Sequence, residues 1–478
     1  MKHLLPTIQS IHTTKAGHKK ALYLPFLLII TAAFLVLTLG LVQLSTLQRK
    51  SARINQTHVS ALGVAEAGIS YYLWHLAHNN TDYADGHTPP ASSPYGPYVH
   101  NYTDTNGTVI GTYSITITPP PNGSTIATVT ATGTLNGSTK PRTVKALLGI
   151  PSFSQYSIVT ASEVWFGATE STNGPVHSNV GVHFDGTNNG VVSAANATYV
   201  PTVPFGGNGN TVHNGVWGTG GPQSQWIFPV PTVDFNKVAA DLSGIKTQAI
   251  ANGKYLAKSP NLGYFIQFQN DGTYKLATVT GYTFAALTTT ALVSQPIPAN
   301  GIIFAEDNVW VEGTVKGRYT VAAATLPASG ATNRDITVTN NLLYTVKDGS
   351  DALGLVAQRD VKVGPNSPNI FEIDAAMLSQ TARVYRPCRW NDASPCFQGN
   401  GSPKSDTYNL RDTITVYGSI GCFSYWNWSW IAGISGTIKS GYVNTIQTYD
   451  DHMLFSPPPS FPTTGKYALL SWREILSP

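Results

Sequence analysis

Five carboxylates, Glu306, Asp307, Asp335, Asp360 and Asp374, lie among short β-forming runs. Two of them sharing a groove, about 5–9.5 Å apart, would suit glycoside hydrolysis on the face of a stacked β-structure. All five fall at strand ends or turns, where acidic residues are ordinary, so they are read as turn residues, with a polysaccharide hydrolase or lyase as the alternative. His177 and His183 are six residues apart with no third ligand nearby, which argues against a metal site. The chain holds no G-x-S-x-G, H-E-x-x-H, P-loop or EF-hand pattern. The expectation is a protein that is not an enzyme, with no catalytic, cofactor-binding or metal-binding residue.

Two other groups stand out. Trp426, Trp428 and Trp430 alternate, so one strand could place three indoles on one face, a surface for sugar rings or a partner; the other reading is a buried cap on the last strands. Of the three cysteines, Cys388 and Cys396 bracket a short loop and suit a local disulfide in an oxidising compartment, which leaves Cys422 over. The alternative is three unpaired thiols.

The elements that must hold these residues are β-strands. From Pro151 onward, runs of about five Val, Ile and Thr residues recur between Gly, Asn and Asp without a strict period. Strands that short must stack to bury an apolar face, which predicts a β-solenoid, with an elaborated β-sandwich as the alternative. Residues 233–256 read as a helical insertion with Val238, Leu242, Ile245 and Ile250 near one face. Residues 263–279 read as a hairpin turning at Asn270-Asp271-Gly272.

Ahead of this region the chain changes character. Leu22–Val42 is uncharged and long enough to cross ~30 Å of hydrocarbon. It runs on without a small-x-small cleavage site, so a retained transmembrane helix over 22–48 is expected rather than a removed signal. From Arg49 to Leu76 apolar residues recur at steps of three and four, so the helix should continue beyond the membrane as one rod of ~80 Å. Lys2, Lys15, Lys19 and Lys20 account for the formal net charge of +4 and mark residues 1–21 as a cytoplasmic basic leader. That excess, confined to one end, gives no reason to expect nucleic-acid binding. Val109–Thr118, Ile126–Thr134 and Arg142–Ile150 read as strands of a small antiparallel sheet, separated by Asn-Gly turns.

The helix segment S-A-L-G-V-A-E-A-G-I at 60–69 is followed by Y-S-I-T-I-T at 113–118, T-A-T-G-T-L-N-G at 130–137 and R-T-V-K-A at 142–146. Together these resemble the minor-pilin-like, type IV pilin-related membrane proteins of bacteria. Here the basic leader runs directly into the apolar segment, with no carboxylate at its fifth position. The segments G-P-V-H-S-N at 174–179 and Y-D-D-H-M-L-F at 449–455 are similar to uncharacterised extracytoplasmic β-domains on such anchors, and imply no activity. The expected fold is α+β and mainly β, divided into the leader 1–21, the transmembrane helix 22–48, the helix extension and antiparallel sheet 49–150, and a solenoid-like extracytoplasmic domain 151–478. The resemblance implies a single-pass, cell-surface structural or adhesive protein with its N-terminus inside. Its expected partners are the membrane, other pilin-like subunits through the N-terminal helix, and surface polysaccharide. Ala61, Gly63, Ala65, Ala67 and Gly68 leave little side chain on the helix and are expected to let another helix approach closely; contact with the chain's own sheet alone is the alternative.

Overall fold

The computed structural model describes residues 23–120, 126–283, 286–364, 366–388, 410–431 and 438–475. One helix, α1 (Tyr23–His78), carries 56 residues without a break. At 1.5 Å per residue it is ~84 Å long. Pro25 falls in its first turn, where the absent N–H has no partner to lose. Asp82 ends it: its carboxylate accepts from Ala84 N at 2.9 Å and Gly86 N at 2.7 Å, and contacts His75 Nε2 at 3.0 Å, folding the chain back over the last turn.

The second half of α1 lies across an antiparallel sheet of β1 (Tyr95–Thr103), β2 (Val109–Thr118), β3 (Ala127–Leu135) and β4 (Arg142–Gly149). Alternate residues of β2 to β4 turn inward, so Ile115, Ile117, Val129, Ala131, Val144, Ala146 and Leu148 meet Val64, Ala65, Ile69, Tyr72 and Leu76 in one core. The approach is close. A Cβ on Gly133 would fall 2.3 Å from Ala65 N and 2.4 Å from Ala61 O, so only glycine lets the helix backbone rest on β3 there.

A fifth strand, β5 (Ala468–Ile475), pairs antiparallel with β4. The boundary expected at 150/151 is therefore crossed by the chain's last strand, and everything between β4 and β5 is inserted into the small sheet. The cause is nonlocal: Arg142 pairs with Glu474, and the Tyr467 hydroxyl meets the Tyr83 hydroxyl at 3.1 Å.

The inserted region stacks short strands in parallel. One ladder runs through Lys254–Leu256, Ile302–Ala305, Arg318–Ala323, Ala352–Ala357 and the C-terminal halves of Ile370–Ser379 and Leu410–Cys422. It then continues into Ile158–Thr160, Val176–Ser178, Val192–Ala194 and Trp226–Ile227. A second ladder joins Gly263–Phe268, Asn308–Val315, Ile336–Tyr344, Val361–Val363, Val384–Tyr385 and Trp426–Asn427. Val164–Phe166, Val182–Phe184 and Val216–Trp217 form a third. The inward Val, Ile, Leu and Phe residues of these ladders share one large core. The chain as described is mainly β, with a long apolar N-terminal helix.

The stack does not follow chain order. The strands at 158–194 add beyond the strand that ends at Cys422, so after Ile227 the chain must return roughly 40 Å, at ~4.8 Å per strand, to begin again at Lys254. Residues 228–236 and helix α2 (Lys237–Asn252) make that return. Val238, Leu242, Ile245 and Ala249 are its buried residues, at steps of four, three and four. Ile250, expected on that face, is exposed because it lies one residue, ~100° of helical turn, past Ala249. The expected hairpin is present: Gly263–Phe268 pairs antiparallel with Tyr274–Tyr282, and Gly272 turns at φ +90°.

Candidate functional site

Each of the five carboxylates meets a cation, and Arg359 reaches two of them, Asp335 at 2.6 Å and Asp360 at 3.8 Å. Glu306 is bound by Lys246. Asp307 accepts from the N–H and hydroxyl of Ser259 at 3.0 and 2.9 Å, with Arg334 at 3.7 Å. Asp335 takes both arms of Arg359, at 2.7 and 2.6 Å, and Lys362 at 2.7 Å. Arg383 lies 3.2 Å from Asp360 and Lys347 lies 2.9 Å from Asp374. Burial pushes the Asp335 carboxyl up, but Arg359 and Lys362 outweigh it and hold the group below the usual carboxylate range. Burial dominates at Asp374, whose carboxyl is raised, yet its side chain is wholly inaccessible and its remaining oxygen accepts from Tyr344 N at 2.8 Å. Asp307, Asp335 and Asp360 precede successive strands of the second ladder and Glu306 shares the turn of Asp307, whereas Asp374, expected at a strand end, lies inside Ile370–Ser379; each is paired with a cation rather than set as an acid and a base facing one substrate.

The two histidines sit on different ladders. His177 is buried between Ser193 Oγ at 3.1 Å and Asn179 Oδ1 at 3.0 Å, and burial lowers its pKa. His183 belongs to a column of rings that the sequence reading missed. Trp165 pairs in register with His183, and His183 with Trp217, so their rings stack at 5.3 and 3.7 Å; His213 closes the column on Trp217 at 3.8 Å. Burial lowers the pKa of His183 even though Phe205 O and Asp185 favour its charged form, so the ring is neutral at pH 7. The signal was legible as V-W-F at 164–166, V-H-F at 182–184 and V-W at 216–217, one aromatic flanked by core residues on each strand. Among the described residues one set of three ligand-type side chains converges, Asp450, Asp451 and His452, but Asp450 is already engaged by the His452 ring and the Tyr417 hydroxyl.

The tryptophan run does not offer three indoles on one exposed face. Trp426 and Trp428 are buried in the large core, and the strand breaks at Trp428 between Trp426–Asn427 and Ser429–Ile431. Trp430 is half-buried and donates to the Arg386 carbonyl at 2.8 Å. Cys388 is buried and disulfide-bonded, Cys422 is a buried free thiol, and Cys396 lies outside the described residues.

Among the described residues, what remains unpartnered is the first half of α1. This half, through Leu47, carries large apolar side chains about half or more exposed at nearly every turn, and no part of its most apolar stretch is covered by the other described residues. The small residues beyond it divide between two faces. Ala61, Ala65 and Gly68 are spent on the chain's own sheet, where a Cβ on Gly68 would lie 2.9 Å from the Tyr113 ring. Gly63 points away with nothing within 4 Å of where a Cβ would be, and Ala67 is half-buried.

No protein-family model matches the chain, and no curated protein is similar to it at a significant level. Among solved structures, the competence-associated pilin ComZ from Thermus thermophilus aligns over 88% of this chain and 98% of its own, at 14% identity and a TM-score of 0.28. A superposition that loose carries no argument about fold or function, so the functional reading rests on the helix and what it displays.

Proposed function

We propose that the chain is a membrane-anchored structural protein of the pilin-related kind, which displays a large β-region outside the membrane and has no catalytic role. One observation carries the reading: a single unbroken helix is bare and apolar in its first half and packed on an antiparallel sheet in its second. A bare apolar face of this size costs too much in water to persist, and a bilayer is the solvent that removes the cost. The parallel ladders support reading the inserted region as a β-solenoid rather than a sandwich, whose sheets are antiparallel. We take the lysines before Leu22 as cytoplasmic, which puts the β-region outside. The exposed face of α1 around Gly63 is proposed as the side on which neighbouring pilin-like helices would pack.

The rival reading, a tethered carbohydrate-active enzyme, loses its candidate residues to their ion pairs, and an indole surface for polysaccharide is not available at Trp426 and Trp428. Protease added to cells whose outer barrier has been made permeable is expected to remove the β-region and leave a short fragment containing residues 22–48. Protection of the whole region 151–478 would reverse the orientation and end the surface-display reading.

A further inference from the structure

Where α1 leaves its apolar stretch it forms one wall of an open groove of about 380 Å³, lined by Thr46, Arg49, Lys50, Arg53, Thr57 and, from the turn between β3 and β4, Lys140. We propose that this groove holds the phosphodiester headgroup of an anionic membrane lipid. The proposal rests on the anchor reading above and adds to it a specific ligand.

Three observations support it. The wall residues recur at helical spacing, so Thr46, Arg49, Arg53 and Thr57 stand above one another on the face that looks toward Lys140. Among the described residues none of Arg49, Lys50, Arg53 or Lys140 is in an ion pair. Glu474, the acid that the adjoining sheet brings near, is taken by Arg142, which also contacts His58 at 3.3 Å. The groove also sits at the right depth. The apolar stretch ends at Leu47 and the first cation follows two residues later, ~3 Å further along the helix, where headgroup phosphates lie when Leu24–Leu47 fills the hydrocarbon.

Four uncompensated cations around one concavity repel each other, and a phosphodiester between them relieves that repulsion, with guanidinium donors matching its two free oxygens. The threonine hydroxyls are spent on the helix itself, Thr46 donating to Gln43 O at 2.8 Å and Thr57 to Arg53 O at 2.9 Å, so the cations alone supply the donors. A second shallow recess, formed by Thr57 and residues 135–140, adjoins the groove and leaves room for the polar part of a headgroup beyond the phosphate. Acyl chains would run down the bare side of α1.

The test uses the full chain reconstituted in phosphatidylcholine bilayers with and without phosphatidylglycerol, then released for native mass spectrometry that counts the lipids it carries. The wild type is expected to retain phosphatidylglycerol in preference to phosphatidylcholine. Replacing Arg49→Gln, Arg53→Gln and Lys140→Gln together should lower that preference at least about tenfold, while Lys258→Gln, on an exposed loop elsewhere, should leave it intact. Unfolding temperature, read alongside, should not move, because the three side chains are exposed or at the groove rim. Equal insertion of wild type and variant with no lipid preference in either overturns the groove and leaves the anchor standing. Loss of retained phosphatidylglycerol to millimolar inorganic phosphate overturns the lipid as occupant in favour of a soluble anion. Failure of the wild type to insert overturns the anchor and the groove together.

Discussion

Gly133→Val should loosen the small sheet from α1 by ~3 kcal/mol, the scale of forced overpacking against atoms that cannot yield. The new Cβ would meet Ala65 N at 2.3 Å and Ala61 O at 2.4 Å, both backbone atoms inside a continuous helix. No rotamer relieves that, so helix and strand must separate, and the core of Val64, Ala65, Ile69, Tyr72 and Leu76 opens with them. Gly63→Val provides the comparison on the helix itself, between Ala61 and Ala65 but facing open space, where a change within about 0.5 kcal/mol is expected. Thermal unfolding of both variants in detergent distinguishes the two sites. Equal behaviour would mean that the helix does not rest on β3 as described.

Removal of residues 467–478 should have the other large effect, because it strips β5 from β4. The truncation deletes the antiparallel ladder to β4, the Arg142–Glu474 pair and the Tyr467 contacts with Tyr83 and Asn80. With backbone hydrogen bonds worth about 1 kcal/mol each net, the small sheet loses on the order of 5 kcal/mol, and β4 becomes a bare edge open to pairing with other chains. The large parallel region, which keeps its own core, should remain resistant to protease while cleavage appears between α1 and residue 150. A digestion pattern identical to that of the full chain would show that β5 is dispensable and that the insertion is not tied at both ends.

The parts of this structure legible in the sequence are the ones written locally. Strands β2, β3 and β4 fall within a residue or so of the runs read from composition, since period-two alternation and Asn-Gly turns are short-range signals. α1 was legible for the same reason. The Pro-, Gly- and Ser-rich run at 85–98 has the composition of a loop, and β1 begins inside it, just after Pro94 and with Pro97 near its start. β1 is an edge strand, where a missing N–H can face outward, and its register slips between Tyr95 and Tyr98, around Pro97. β5 was missed because its partner lies more than three hundred residues earlier and nothing within Ala468–Ile475 names it. The return of the chain along the stack was equally invisible: the pairing of Ile420 with Ile158 is a fact of topology, and each strand looks the same whichever neighbour it meets. At the candidate site, residue types were readable but partners were not. Asp335 and Asp360 were legible as turn residues, but nothing local to Asp335 shows that Arg359 and Lys362 lie beside it, nor anything near Asp360 that Arg383 does.

The central claim is that α1 holds this chain in a bilayer, and alkaline carbonate extraction of membranes from cells expressing it tests that claim most directly. With fifteen large apolar side chains exposed between Leu24 and Leu47, the full chain should stay in the membrane pellet after extraction, at its full length less any short leader removed ahead of Leu22. A chain lacking residues 22–48 should appear in the supernatant with its β-region folded. Release of the full chain into the carbonate supernatant, or a mature mass that begins after residue 48, would contradict the account.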